Sequence, residues 1–145
     1  MKKIFLVCLL ILVAGCSSNY NSVGSPPPVS MKIGDTSHSM KRGSYSWSKQ
    51  GLFQTESIIA DAASPYQIGK EMEPITVEKN SVLEIETSGN PTLSAYLWDY
   101  TGRTNDIPIT DHQITAPDES GEYIYEVFGE WEKGDGSYTI VLKVE

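Results

Sequence analysis

Hydrophobic and polar residues alternate with a period of two along much of the chain. In residues 137–144, the apolar side chains that would share one face of an extended strand are Tyr138, Ile140, Leu142 and Val144. Successive side chains of a strand point to opposite sides of a sheet, so this alternation predicts a strand with one buried face. The same pattern marks residues 82–86, 93–99 and 122–131. Weaker versions occur at residues 43–48, 57–60, 74–78 and 113–116.

The spacing of an amphipathic helix is not sustained anywhere after the first residues. Residues 56–63 come nearest, but the segment is short and Pro65 follows it. Glycine, proline and asparagine residues separate the alternating segments and mark turns between them. Seven or eight short strands with such turns are typical of a β-sandwich. We therefore predict an all-β sandwich domain over residues 31–145.

One local motif suggests which sandwich this is. Residues 118–125 read Asp-Glu-Ser-Gly-Glu-Tyr-Ile-Tyr and resemble the run that opens strand F of immunoglobulin-like domains. The resemblance implies that the Tyr123 hydroxyl donates a hydrogen bond to the preceding loop, and that Tyr125 replaces the disulfide cysteine. Leu83 and Tyr125 would then fill that space by packing, with Trp98 over the core. An immunoglobulin-like Greek key is expected, and a different Greek-key sandwich stays open.

The first sixteen residues have the layout of a bacterial lipoprotein signal. Lys2 and Lys3 precede an apolar run of ten residues at 4–13. That run is too short to span a membrane as a helix, which needs about 20 residues. The sequence Leu-Val-Ala-Gly-Cys at 12–16 resembles the lipobox, whose cysteine is joined to diacylglycerol before cleavage. The resemblance implies that residues 1–15 are a signal peptide and that Cys16 is lipidated. An ordinary secretory signal is the alternative.

Residues 16–30 are predicted to be a tether between the lipid and the domain. Their composition is rich in serine and proline and cannot form a core. The tether would be flexible at first, then stiffened towards polyproline II by Pro26, Pro27 and Pro28. Its expected role is to lift the domain off the membrane surface.

The charge of the chain restricts its partners. The 145 residues include 19 acidic and 11 basic side chains, giving a net charge of −8. Nucleic-acid binding needs a basic surface and is therefore not expected. Loss of residues 1–15 removes Lys2, Lys3 and Cys8, leaving 130 residues with a net charge of −10. Acyl chains on Cys16, rather than charge, would then hold the protein at the membrane.

Several short stretches resemble a family of small lipoproteins from spore-forming Gram-positive bacteria. The stretches are Gly-Ser-Tyr-Ser-Trp at 43–47, Ala-Asp-Ala-Ala-Ser-Pro at 60–65, residues 74–85, and the Gly-x-Tyr-x-Tyr to Gly-x-Tyr pattern at 121–138. Many relatives carry a cysteine at each of the positions occupied here by Ser46 and Ile59, so this chain would lack that bridge. The resemblance implies the plasma membrane of a single-membrane bacterium. It implies no particular activity.

Catalytic and metal-binding patterns are weak. The two histidines, His38 and His112, lie in polar segments with no nucleophile motif nearby. Acidic residues collect in the predicted loops: Asp99, Asp106, Asp111, Asp118 and Glu119. An acidic solvated rim is the first interpretation, and oxygen ligation of calcium is an alternative. We predict a protein that is not an enzyme, with no cofactor and no metal.

Exposed aromatic residues beside carboxylates would suit a carbohydrate or peptidoglycan ligand. Trp47 and Phe53 stand in polar surroundings and, with Asp61, are the predicted ligand contacts. Trp98 and Trp131 are expected in the core, because large aromatic residues dominate small sandwich cores. The alternation in residues 122–131 assigns a set of glutamates to the solvent face: Glu122, Glu126, Glu130 and, just beyond, Glu132. That face also carries Ile124 and Phe128, so another segment or a partner is expected to cover part of it.

These features lead to one main functional hypothesis. The protein is predicted to be a lipid-anchored, non-catalytic binding or adaptor module at the extracytoplasmic face of the cell membrane. Its expected partners are the membrane, through Cys16, and another membrane or cell-wall component. Two alternatives stay open: a secreted enzyme inhibitor or enzyme with an unrecognised site, and a calcium-binding or sensing lipoprotein.

Overall fold

The structure, a computed structural model, describes residues 24–145. Within these residues the chain forms eleven strands: β1 (Ser30–Ile33), β2 (Thr36–Ser39), β3 (Lys41–Gln50), β4 (Thr55–Ala60), β5 (Ile75–Val77), β6 (Val82–Glu86), β7 (Thr92–Asp99), β8 (Gly102–Ile107), β9 (Gln113–Thr115), β10 (Gly121–Trp131) and β11 (Gly134–Val144). A single short helix, α1 (Pro65–Lys70), lies between β4 and β5 in this part of the chain. The predicted all-β class is confirmed, and each of the eight predicted segments contains a strand.

The strands form two sheets around one shared core. The smaller sheet has the order β2-β1-β6-β9 and the larger has the order β4-β3-β11-β10-β7-β8, with β5 added parallel to β11. Side chains from both sheets belong to one buried cluster, including Met31 and Leu83 from the smaller sheet and Val127 and Ile140 from the larger. The architecture is therefore two-layered and sandwich-like.

The long hairpin β10–β11 is the centre of the larger sheet. Its register pairs Gly121 with Val144 at one end and Trp131 with Gly134 at the other. The inward face predicted for residues 137–144 is confirmed, because all four of its apolar side chains are buried. Thr139 and Val141 on the opposite face are also buried. Part of that face is covered by α1, which contacts both β10 and β11.

Two local expectations for residues 118–125 are confirmed, the hydrogen bond of Tyr123 and the burial of Tyr125. The Tyr123 hydroxyl donates a hydrogen bond to the Glu119 carbonyl oxygen at 3.1 Å. Tyr125 and Leu83 are both fully buried in the core cluster. The expected packing of these two side chains in the core is therefore confirmed.

Pro65 was expected to stop a helix, but in the structure it begins helix α1. Proline is well tolerated at the first helical position, since its missing N–H would have no partner there. Ser64 caps the helix, and Gln67 completes a capping box with it. Gly69 lies so close to Ile124 that a methyl group on it would be 2.9 Å from that side chain. The predicted cover over Ile124 is therefore this helix.

The described part of the predicted tether packs against the domain. Residues 24–30 include Val29, which is buried in the core cluster. The carbonyl oxygen of Pro27 accepts a hydrogen bond from Tyr138, and that of Pro28 accepts one from Thr87. These contacts differ from the free spacer predicted for this stretch. The three prolines keep the backbone extended, so their carbonyl groups are available to the sheet residues they cross. Residues 16–23 lie outside the described part of the chain.

Replacement of Tyr125 by phenylalanine is expected to stabilise the protein by about 1 kcal/mol. The Tyr125 hydroxyl is buried and has no hydrogen-bond partner among the described residues. Burial, with a smaller contribution from Tyr123, raises the pKa of Tyr125 well above its usual value. The unfolded chain therefore loses this proton first, and stability falls as the pH rises above about 10. Urea unfolding at pH 8 and at pH 11 measures both effects.

The Tyr125→Phe variant should lose less stability than wild type between these two pH values. Above about pH 10, the free energy of unfolding of wild type should fall faster than that of Tyr125→Phe. The two slopes differ by up to about 1.4 kcal/mol per pH unit, the value for one proton. Some alkaline loss remains, because burial also raises the pKa of Tyr138. The control is Tyr100→Phe, at a residue that is 80% exposed, and it should change neither quantity. A Tyr125→Phe variant less stable than wild type at pH 8 would contradict the prediction.

Candidate functional site

The outer face of the larger sheet, turned away from the core, carries a groove of about 360 Å³. Strands β3 and β11 provide its polar floor, while β4 and residues 61–65 form one wall. The opposite wall is made by Trp98 on β7 and Phe128 on β10. The full lining consists of Ser44, Tyr45, Ser46, Ile59, Ala60, Asp61, Ala62, Ala63, Ser64, Pro65, Trp98, Glu126, Phe128, Asp135 and Ser137. We refer to these residues as the outer groove.

Strand register explains why these side chains meet. Ser46 on β3 lies opposite Asp135 on β11, and Phe128 on β10 lies opposite Ser137 on β11. Residues directly opposite each other in an antiparallel pair point to the same side of the sheet. The groove floor is therefore a row of small polar side chains on the adjacent strands β3 and β11, with Phe128 of β10 beside it. The Ser44 hydroxyl also accepts a hydrogen bond from the Ala62 amide at 3.0 Å, which fixes the wall to the floor.

Glu126 is buried at the base of the groove wall and is only 2% exposed. Its carboxylate accepts hydrogen bonds from the Trp98 indole N–H at 2.6 Å and from the Ser137 hydroxyl at 2.8 Å. Arg103 donates two more, from Nε at 2.8 Å and from Nη2 at 3.1 Å. A buried carboxylate is stable only when its oxygens are paired in this way. We call these four residues the Glu126 network.

Arg103 is held over the sheet surface by aromatic rings as well as by Glu126. Its guanidinium lies 3.9 Å from the ring centre of Tyr96 and 5.8 Å from that of Phe128. The hydrogen bonds from Arg103 to Glu126 raise the pKa of the arginine. The guanidinium is therefore charged at any physiological pH. Because Trp98 bonds to the same carboxylate, the network fixes the indole at the edge of the groove.

A second depression continues the outer groove past Trp98 and Ser64, which line both. It is formed by Tyr66, Gln67 and the turn between β7 and β8, residues 99–102. The Asp99 carboxylate there accepts hydrogen bonds from the hydroxyl and the amide of Thr101, at 2.6 and 2.7 Å. These bonds lower the pKa of Asp99. Together the two depressions present aromatic rings, hydroxyl groups and carboxylates along one extended surface.

The three predicted contact residues do not form one site. Asp61 is exposed in the wall of the outer groove. Trp47 is only 8% exposed, so its prediction as an exposed contact is wrong. It alternates on β3 with Ser46 and packs edge-on against Trp131, with 6.0 Å between ring centres. Phe53 is 98% exposed but lies at the tip of the β3–β4 hairpin. Cys16 lies outside the described residues.

Two further expectations about this face are corrected. Glu126 was expected to face solvent, but Arg103 and Trp98 cover it. Trp98 was expected over the core, but alternation on β7 places Ala95 and Leu97 on the core side and Trp98 on the groove side. Trp131 packs against the core as predicted. The usable signal for Glu126 was its place in the middle of a long central strand, where both faces can be covered.

Neither histidine lines the outer groove, and of the five acidic loop residues only Asp99 lies beside it, in the second depression. His38 is on β2 of the smaller sheet, and His112 is in a tight turn with φ of 62°. Residues 24–145 contain no group of three or more histidine, cysteine or acidic side chains placed to hold a metal ion. None of the helices in this range has the length and apolar character needed to cross a membrane.

Comparisons with protein-family models, with curated proteins and with solved structures find no match to this chain. The resemblance to small lipoproteins therefore stays a prediction. Ser46 and Ile59, the two positions expected to carry cysteines in those relatives, lie directly opposite each other on β3 and β4.

Proposed function

We propose that this protein is a lipid-anchored, non-catalytic binding module at the extracytoplasmic face of the cell membrane. Its ligand site is the outer groove. The proposal rests on the Glu126 network, which holds Trp98 beside a row of hydroxyl groups and two carboxylates, those of the exposed Asp61 and the half-buried Asp135. A concave surface with a fixed aromatic ring and convergent polar groups is the usual form of a ligand site. The anchor is the acyl modification of Cys16.

The chemistry of the groove favours a neutral, hydroxyl-rich ligand such as a glycan chain of the cell wall. Sugar rings have an apolar face that stacks on indole and phenol rings, and hydroxyl groups that bond to serine and carboxylate oxygens. Trp98, Tyr45 and Phe128 offer the rings. The lining includes carboxylates but no lysine, arginine or histidine. An anionic polymer would therefore meet repulsion there.

We also propose that the sandwich is immunoglobulin-like. Strand β10 lies between β7 and β11, as strand F lies between C and G in that fold. In the other sheet, β6 lies between β1 and β9, which is the place of strand B between A and E. The hydrogen bond from Tyr123 to Glu119 is the tyrosine corner of strand F. The hairpin β3–β4 would then be an addition at the outer edge of strand G.

Co-sedimentation with purified peptidoglycan, stripped of anionic polymers, tests the ligand site. Asp61→Asn and Asp135→Asn should each weaken binding about tenfold, because one charge-assisted hydrogen bond contributes about 1.5 kcal/mol or more. The matched control is Asp118→Asn, an exposed aspartate in the loop before β10, which should bind like wild type. Equal binding by all three variants would assign the ligand to another surface and contradict the proposal.

Metabolic labelling of bacterial cells that express the protein tests the anchor separately. A fatty-acid probe should label the wild-type protein and fail to label Cys16→Ala, which should leave the membrane fraction. An unlabelled wild type would contradict the anchor while leaving the groove result intact.

A further inference from the structure

The tip of the β3–β4 hairpin exposes two large apolar side chains. Leu52 is 96% exposed and Phe53 is 98% exposed. They lie in the four-residue turn 51–54, which is closed by a hydrogen bond from the Gly51 amide to the Gln54 carbonyl oxygen at 2.8 Å. Neighbouring apolar groups left fully in water are unfavourable unless something covers them. We call residues 51–54 the hairpin tip.

The described chain begins at the same end of the molecule as the hairpin tip. A methyl group on Gly24 would lie 3.6 Å from the indole nitrogen of Trp47. Trp47 is three residues before Gln50, the last residue of β3, so the tip extends about 10 Å beyond it. The turn between β10 and β11 is at this end too, because Gly134 pairs with Trp47.

The length of chain between Gly24 and Cys16 limits how far this end can lie from a membrane. Eight residue steps separate the two positions. Whatever its conformation, such a stretch spans at most about 29 Å. Resting on the proposed function, in which Cys16 is acylated, Gly24 stays within that distance of the lipid surface. The hairpin tip points away from the domain at this end and can therefore reach the bilayer.

We propose that the hairpin tip inserts Leu52 and Phe53 into the bilayer as a second membrane contact beside the lipid anchor. Lys49 and Lys133 lie near this end, and Glu56 and Glu132 offset their charge. The contact is therefore apolar rather than electrostatic. With the tip in the bilayer, the strands of the larger sheet stand upright and the outer groove faces sideways, accessible to polymer lying above the membrane.

Lipid quenching of a fluorophore near the tip tests this contact. Acylation blocks Cys16, so Gln54→Cys provides a single free thiol for an environment-sensitive dye and leaves Leu52 and Phe53 in place. The acylated protein is reconstituted in vesicles of phosphatidylcholine and phosphatidylglycerol with nitroxide-labelled lipid. The matched control is the same dye at Tyr100→Cys, an exposed residue in the β7–β8 turn at the opposite end of the sheet.

The expected result is a blue shift and strong quenching for the dye at position 54, with neither at position 100. Adding Leu52→Ser and Phe53→Ser to Gln54→Cys should abolish the quenching. Equal quenching at both positions, or quenching that survives the serine substitutions, would overturn the contact. Shielding that depends on protein concentration rather than on lipid would indicate a second copy of the chain, and would overturn it also.

Mass spectrometry of the reconstituted protein shows whether Cys16 is acylated, and this result separates the hairpin contact from the lipid anchor on which it rests. An acylated protein whose tip dye is unquenched overturns the hairpin contact and leaves the anchor standing. A protein without acyl chains overturns the anchor, and with it the contact.

Discussion

Replacing Arg103 by methionine is expected to lower the free energy of unfolding by about 3 kcal/mol. Arg103 supplies two of the four hydrogen bonds to the buried Glu126 carboxylate. Methionine retains much of the side-chain length and none of the charge, so the carboxylate would be left partly unpaired. We place the effect at the low end of the range for broken buried pairs. The reason is that the Arg103 side chain is 43% exposed, so water can reach the vacated side.

Urea unfolding of a double-mutant cycle measures this effect. Glu126→Leu combined with Arg103→Met should recover part of the loss, because the pair then leaves no buried charge and the two positions are directly coupled. The recovery is incomplete because Trp98 and Ser137 lose their acceptor. The matched control is Lys79→Met, which removes an exposed cation in the turn before β6 and should change stability by less than about 0.5 kcal/mol. An Arg103→Met variant as stable as wild type would show that the network does not stabilise the fold.

Replacing Gly134 by alanine is expected to cost about 4 kcal/mol, combining backbone strain with overpacking. Gly134 has φ of 149°, a value that residues with a side chain rarely adopt. An added methyl group would also lie 2.0 Å from the carbonyl oxygen of Ser46 on β3. That oxygen belongs to the backbone of the neighbouring strand, so the clash can be relieved only by moving β3 away from β11.

Gly102 provides the control for the strain contribution. Its φ of 124° is also unfavourable for alanine, but an added methyl group would meet nothing within 4 Å. Gly102→Ala should therefore cost only the strain, about 1–2 kcal/mol. Thermal unfolding of the two variants gives the difference directly. Equal losses for the two would mean that β3 moves freely at this point, contrary to the prediction.

The strands of this protein were largely predictable because their signal is local. The alternation in residues 137–144 depends only on neighbours along the chain, and the structure buries the predicted face. Strand β8, Gly102–Ile107, was missed because its residues are almost all exposed. As an edge strand beside β7, it buries little and has no apolar periodicity to detect. Strand β2 has the same weakness, since it is an edge strand of the smaller sheet and its residues are mostly exposed.

The candidate site was less predictable than the fold. Of the residues singled out as ligand contacts, Asp61 lies in the outer groove and Trp47 is buried on the other side of β3. The position of Glu126 in a long strand was the one local sign that it could be covered, and nothing near it in the chain identified its partners. Its partner Arg103 is 23 residues away along the chain, in a strand whose pairing the pattern did not reveal. The sequence placed Trp98 correctly in a strand, but it did not reveal that the side chain points to the groove side of the sheet.

By itself, the sequence determined the fold class, most strand positions and the inward face of the longest strands. These properties follow from the period of two between adjacent residues, which needs no knowledge of distant ones. Only the tertiary structure decided which outward-facing positions are covered. Helix α1 closes over Ile124, Arg103 closes over Glu126, and residues 24–30 close over Tyr138. Such coverage depends on segments far apart in the chain, since burial is a property of packed neighbours rather than of the residue itself.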